Sequence, residues 1–247
     1  MKEITSRTHP DIQKVAQLEH KKYRLEYQQF VAEGIRTCSA LIEGGYEPVM
    51  LYVLPTEVAA AQQLVSADYL TVITQPVLEK ISQTTTSSGV VGVFALPPEP
   101  SISSLGQGVV LANITDPGNM GTLIRTCAAV GKKTVVVISG TDPFGAKAVQ
   151  ASAGTLSYVK IFHLSWEQLL AHKGHLRLCA LVVAHGTAPR DIDWQNTLIV
   201  VGNEAHGLAP SMVDVCEEKV TLPMPGKTES LNAAVAGSIA LYLSTTV

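Results

Sequence analysis

Apolar residues recur at Ile12, Val15, Leu18, Tyr23, Phe30, Ile35 and Leu41, with polar residues between them. That spacing predicts helix over 8–43, with a break near Phe30 where the period falters, and Gly44-Gly45 ends the element. PVMLYVL is then a short apolar run with β-branched members and reads as a buried strand. EVAAAQQLVSA reads as helix, residues 69–73 as strand, PVLEKISQ as helix, TTTSSG as loop and VVGVFAL as a third strand. Strand and helix alternate, which predicts a small α/β layer. In LPPEPSISSLGQG the pattern stops, and three prolines stand among serine and glycine. The chain therefore divides into a first domain over 1–96, a linker at 97–105 and a second domain over 106–247.

The second half alternates again. GVVLANI, TVVVIS, YVKIFH, LCALVVAH, TLIVVGN and VTLPM read as strands. NMGTLIRTCAAVG, AKAVQASAG, WEQLLAHKG, PSMVDVCEE and SLNAAVAGSIALYLS read as helices. These strands are unbroken apolar runs, as in parallel sheets covered on both faces.

Composition narrows the classes. The chain of 247 residues has a net charge of −3, which argues against coating nucleic acid by bulk charge. A local basic patch is still open, because six of the eight Lys and Arg in 1–96 precede residue 25. The same stretch holds ten Asp and Glu, so folding must make any patch. Cys38, Cys127, Cys179 and Cys216 form no CxxC or CxxH pair, so they read as buried reduced thiols and no metal is expected. The N-terminus has no apolar leader, and the apolar tail after Ser230 is broken by Asn232, Ser238 and Ser244, short of a membrane span. A mean hydropathy of +0.22 without a span points to a cytoplasmic protein that hides apolar surface in an oligomer.

Three polar segments interrupt the second half at strand ends. The first runs from Asn113 through Asp116, Pro117, Gly118 and Asn119 into a helix bearing Arg125. A capping asparagine and a surface arginine explain it equally well. The second is Gly202, Asn203, Glu204, Ala205, His206, Gly207 and Leu208. It lacks the G-x-G-x-x-G spacing of a dinucleotide loop, and His206 reads as a surface residue. The third runs from Leu222-Pro223-Met224-Pro225-Gly226 to Ser230-Leu231-Asn232. A helix capped near Ser230 explains its small residues, but not an asparagine facing inward on an apolar helix, since a buried amide needs a partner.

Together these segments closely resemble the three signature motifs of the TrmH/SpoU family of RNA ribose 2′-O-methyltransferases, in the SPOUT superfamily. The matching pieces are N-x5-R (Asn119, Arg125), G-x-E-x-x-G-L (Gly202, Glu204, Gly207, Leu208) and L-P-M-x-G-x3-S-L-N (Leu222 to Asn232). The likeness covers about 108 to the C-terminus. A weaker one covers the first domain, where KYRLEYQQFVAEGIRTCSALI is similar to the entry of the family's ribosomal-protein-like substrate-binding domain and TTTSSGVVGVF to its closing segment.

The resemblance implies an α/β catalytic domain closed by a deep trefoil knot, a homodimer, and an RNA substrate, ribosomal more than transfer RNA. It implies S-adenosyl-L-methionine held by Gly202, Leu222, Met224 and Leu231, largely through backbone. It implies a catalytic set of Arg125, Asn119, Glu204, Ser230 and Asn232, with the arginine as base. Guanidinium groups keep their proton in proteins, so binding the adjacent phosphate and stabilising the alkoxide suits Arg125 as well. Glu204 is then expected to fix Arg125 or a nearby backbone amide. Lys21, Lys22 and Arg24 are the expected phosphate contacts; a solvated charged helix face is the plain alternative. After Ser-Leu-Asn the family commonly has Val-Ser-x-Ala, where this chain has Ala233-Ala234-Val235-Ala236. That difference touches packing.

Two other classes compete. A non-catalytic knotted RNA-binding or ribosome-assembly protein would not need Arg125 and Asn232 together. An ordinary doubly wound nucleotide enzyme would need a phosphate-binding glycine loop, which is missing.

Overall fold

Left-handed backbone cuts the long amphipathic stretch at 8–43 into separate elements. In the computed structural model, which describes residues 1–83, 88–226, 228 and 230–245, Gln28 ends a helix at φ 52° and Gly34 turns the chain at φ 89°. Phe30, expected at a helix break, lies instead in a buried strand. The elements in order are β1 (Lys2–Ile4), α1 (Pro10–Gln17), α2 (Lys21–Tyr27), β2 (Gln29–Glu33), α3 (Ile35–Glu43), β3 (Pro48–Val53), α4 (Val58–Ala61), β4 (Leu70–Ile73), α5 (Gln75–Ile81) and β5 (Val90–Ala95). There follow β6 (Gly108–Ile114), α6 (Pro117–Ala129), β7 (Thr134–Gly140), α7 (Ala146–Ser152), β8 (Lys160–His163), α8 (Trp166–His172), β9 (Arg177–Leu181), β10 (Thr197–Val201), α9 (Pro210–Asp214), β11 (Glu218–Val220) and α10 (Ala233–Leu243).

The chain forms two units, Met1–Pro98 with Asp142–Ser157, and Glu99–Thr141 with Tyr158–Val247. The first holds a sheet of order β1-β4-β3-β5-β2, with β5 antiparallel to both neighbours. The three-residue β1 carries no periodicity to read, and EVAAAQQLVSA keeps only the single turn of α4. Of the loop expected at 84–89, residues 84–87 lie outside the described ones.

Sequence order assigns 142–157 to the second domain, but side chains tie it to the first unit. Phe144 packs its ring 5.3 Å from Phe30, and Ser157 Oγ donates to Ala40 O at 3.2 Å. Gly154, at φ +80°, sits so close to α3 that a Cβ would lie 2.7 Å from Thr37 O.

The second unit holds an all-parallel sheet of order β11-β9-β10-β6-β7-β8, as its unbroken apolar runs predict. The strand expected at VTLPM lies earlier, at 218–220, because Pro223 and Pro225 have no N–H for a ladder. Gly237 lets α10 lie hard against its neighbours: a Cβ there would come 2.5 Å from Leu123 Cδ2 on α6 and 3.0 Å from Val201 on β10.

Candidate active site

The order of the parallel sheet reverses between β6 and β10: β7 and β8 lie to one side, β9 and β11 to the other. Crevices beyond the carboxyl ends of strands at such a point are where open α/β sheets bind ligands. Val201 pairs with Leu111, so the segments after β6 and β10 emerge side by side. Asn113 leaves β6 at φ 58°. Asp116 caps α6, taking the Asn119 N–H at 2.8 Å, so the cap is Asp116 and the Asn119 side chain is free for other work.

That work is done with Glu204. The turn after β10 is closed by reciprocal backbone bonds between Asn203 and Gly207, which present the carboxylate to the neighbouring segment. Glu204 accepts from Asn119 Nδ2 at 2.9 Å, Thr115 Oγ1 at 3.1 Å, Asp116 N at 3.3 Å and Thr115 N at 3.4 Å. Asn119 Oδ1 in turn accepts from Asn232 Nδ2 at 3.1 Å, and Asn232 Oδ1 caps α10 through the Ala234 and Val235 amides. Residues from all three motifs thus form one hydrogen-bonded chain, Glu204–Asn119–Asn232.

Several expectations are corrected here. Of the two partners expected for Glu204, the structure has the backbone amides, those of 115 and 116, together with the Asn119 side chain; Arg125 is not among its described partners. Six residues along a helix turn Arg125 well away from buried Asn119, and Arg125 is exposed. Asn232, not Ser230, caps α10, and it is exposed at the helix start with its amide bonded, which answers the buried-amide problem. Ser230 is exposed beside the cavity described next. Arg24 is only 5% exposed. Its guanidinium is spent on Asp142, at 2.6 and 3.0 Å, and on the Leu18 and Glu19 carbonyls, both at 2.8 Å, leaving no face for a phosphate. Lys21 and Lys22 are exposed.

Burial pushes the Glu204 carboxyl up, but the Asn119 side chain and nearby backbone amides outweigh it and hold the pKa below the ordinary glutamate value. Stabilisation from a lowered carboxyl is present above the unfolded value and lost as pH falls through the folded one. The network therefore stays charged through the neutral range and is lost only in acid. All four cysteines are buried, which pushes each thiol up to about 12, so none offers a thiolate.

A cavity of about 340 Å³ lies beside this network. Gly202, Leu222, Met224 and Leu231, the expected cofactor residues, all line it, with Glu204 and Ser230 as polar members. The sequence reading missed Leu181 to Val183 on its wall, and His206. The run after β9 reads only as strand, and no motif marks it. Thr115 and Asp116 were also missed; an Asp before Pro-Gly is a cap signal that points to Asp116. Gly202 is needed for close packing as well. A Cβ there would lie 2.5 Å from Gly207 C and 2.6 Å from Leu208 N, so the glycine lets the Glu204 turn fold back on β10.

The chain belongs to the SpoU rRNA Methylase family, which residues 107–242 match, and residues 9–92 match the MRM3-like substrate binding domain. A 23S rRNA (guanosine(2553)-2′-O)-methyltransferase of Bacillus subtilis is 25% identical over 98% of both chains. A 23S rRNA (uridine(2479)-2′-O)-methyltransferase of Streptomyces viridochromogenes is 28% identical over 97% of this chain and 90% of that one. Among solved structures, the AdoMet-bound rRNA methyltransferase of Sinorhizobium meliloti aligns with a TM-score of 0.86 at 27% identity, over 98% of this chain and 97% of that one.

Proposed function

We propose that this protein methylates a ribose 2′-hydroxyl in structured RNA, ribosomal RNA above transfer RNA, using S-adenosyl-L-methionine. The single observation that carries the reading is the Glu204–Asn119–Asn232 chain beside a cavity lined by the same motifs. A non-catalytic RNA binder has no use for so specific a junction. The relatives acting on ribosomal RNA and the AdoMet-bound neighbour support substrate and cofactor.

The cavity fits the cofactor. Its volume is within the range of small-molecule sites, and Leu181, Leu222, Met224 and Leu231 give the apolar walls an adenine needs. Bound there, S-adenosylmethionine supplies a sulfonium-activated methyl group. The 2′-hydroxyl is a poor nucleophile and would have to pass its proton to solvent water in order to accept that methyl group. Ser230 presents its hydroxyl to the ribose. Asn119 and Asn232, locked by Glu204, hold the motif-three segment in register with motif one. Arg125 neutralises the phosphate beside the target and the developing alkoxide.

Binding of S-adenosylhomocysteine tests the cofactor site. Calorimetry is expected to detect it with the native chain and to lose it with Gly202→Val, whose side chain displaces the Glu204 turn. No binding by the native chain would overturn the reading.

The reading extends to the assembly. Val235, Ile239 and Tyr242 form an exposed stripe on α10, with Tyr242 63% exposed. Such a stripe fits a covered face. We read it as the contact of a homodimer, in which Arg125 faces the partner's site. Light scattering at micromolar concentration is expected to give a dimer and Ile239→Arg a monomer; a native monomer contradicts this. Val182 N–H and Thr187 N–H bond to Val220 O and Lys219 O, keeping 182–187 alongside β11, while the deep knot rests on the family likeness. The first unit, Met1–Pro98 with Asp142–Ser157, would supply RNA affinity through Lys21 and Lys22, and the second unit the chemistry. Among the described residues no helix is long and apolar enough to cross a membrane. We place the activity in the cytoplasm, where four buried thiols stay reduced.

A further inference from the structure

On α2 of the first unit, Tyr23 and Tyr27 stack with centroids 5.8 Å apart and planes 23° apart. Lys14 Nζ sits 4.7 Å from the Tyr27 centroid, and Lys22 Nζ sits 5.5 Å from that of Tyr23. His20 leans on Tyr23 at 6.3 Å. Tyr27 is pinned, because its hydroxyl donates to Gln17 Oε1 at 2.8 Å. Lys14, His20, Lys21 and Lys22 are all exposed, and of the acids on the same helix pair and its turn Asp11 is paired with Lys2 while Glu19 and Glu26 are exposed. Paired aromatic faces among flexible cations are not what a core needs, and both rings are only partly covered.

We propose that Tyr23, backed by Tyr27, is a stacking platform for an unpaired RNA base. Lys22 moves from the ring to the neighbouring phosphate, and Lys14 and Lys21 contact the flanking backbone. Every base has a π-face, so such platforms accept single strands with little sequence preference, while cations track the phosphates. A duplex keeps its faces stacked internally and gains only the charge. The RNA form taken at this surface is therefore an unpaired loop or end. The inference deepens the RNA reading above and rests on it.

The test uses the full chain, a fluorescent single-stranded oligouridylate and an RNA duplex of equal length. The native chain is expected to prefer the single strand. Tyr23→Ala should weaken that binding by about 5- to 150-fold, the worth of one base stack, and spare duplex binding. Tyr23→Phe and Tyr23→Trp keep the face and should bind as the native chain does. The salt slope should be unchanged in Tyr23→Ala and fall by about 0.7 for each phosphate that Lys22→Gln no longer neutralises. Equal loss with Tyr23→Phe, or no loss with Tyr23→Ala, overturns the platform, as does equal native affinity for strand and duplex. S-adenosylhomocysteine affinity, read in parallel, reports the cofactor site by itself. Failure there would count against the methyltransferase reading and leave the stacking result standing.

Discussion

Alanine in place of Arg125 is expected to lower single-turnover methyl transfer by about 10²–10⁴-fold at saturating RNA, with affinity for S-adenosylhomocysteine near native. The separation follows from position. Arg125 is exposed on α6, away from Asn119, and is not among the described residues that line the cavity. Its loss therefore leaves the cofactor walls untouched. On the proposed mechanism, what it removes is the charge that offsets the developing negative charge on the 2′-oxygen. Arg125→Lys keeps the charge but not the planar fork, and should also be strongly impaired. Retention of even a tenth of the native rate by Arg125→Ala would take the residue out of the catalytic set.

Glu204→Ala is expected to cost about as much. It leaves the Asn119 amide, the Thr115 hydroxyl and the 115–116 backbone N–H groups without their acceptor, and stranded donors are costly. The turn that carries Glu204 also lines the cavity, so cofactor affinity should fall with the rate, unlike the Arg125 case. Asn119→Ala breaks the same chain in its middle. Groups that act as one unit are non-additive, so the double variant should be no worse than the worse single one. Additive losses, measured as single-turnover rates, would mean that Glu204 and Asn119 work separately.

Much of the parallel sheet was legible, because strands covered on both faces must be apolar throughout and leave no alternation to misread. The first unit was less so. Its β2 lies inside an amphipathic stretch, bounded by the left-handed Gln28 and the Gly34 turn, and the faltering period near Phe30 showed a break there but not a strand. The assignment of 142–157 depends on long-range contacts such as Phe144 against Phe30. At the site, the motif spacing identified Asn119, Glu204 and Asn232 but not which atoms meet. The bonds to Thr115 and Asp116 arise because β6 and β10 are neighbours in the sheet, a fact of topology. Arg24 failed as a phosphate contact for the same reason, since its partner Asp142 is far away in sequence.

The most direct measurement of the central claim is mass spectrometry of nucleosides after the purified protein is incubated with deuterium-methyl-labelled S-adenosylmethionine and ribosomal RNA from cells lacking its gene. The account predicts label on a single ribose-methylated nucleoside, absent with Arg125→Ala. Label on a base, or no label in RNA that lacks the modification, would contradict it.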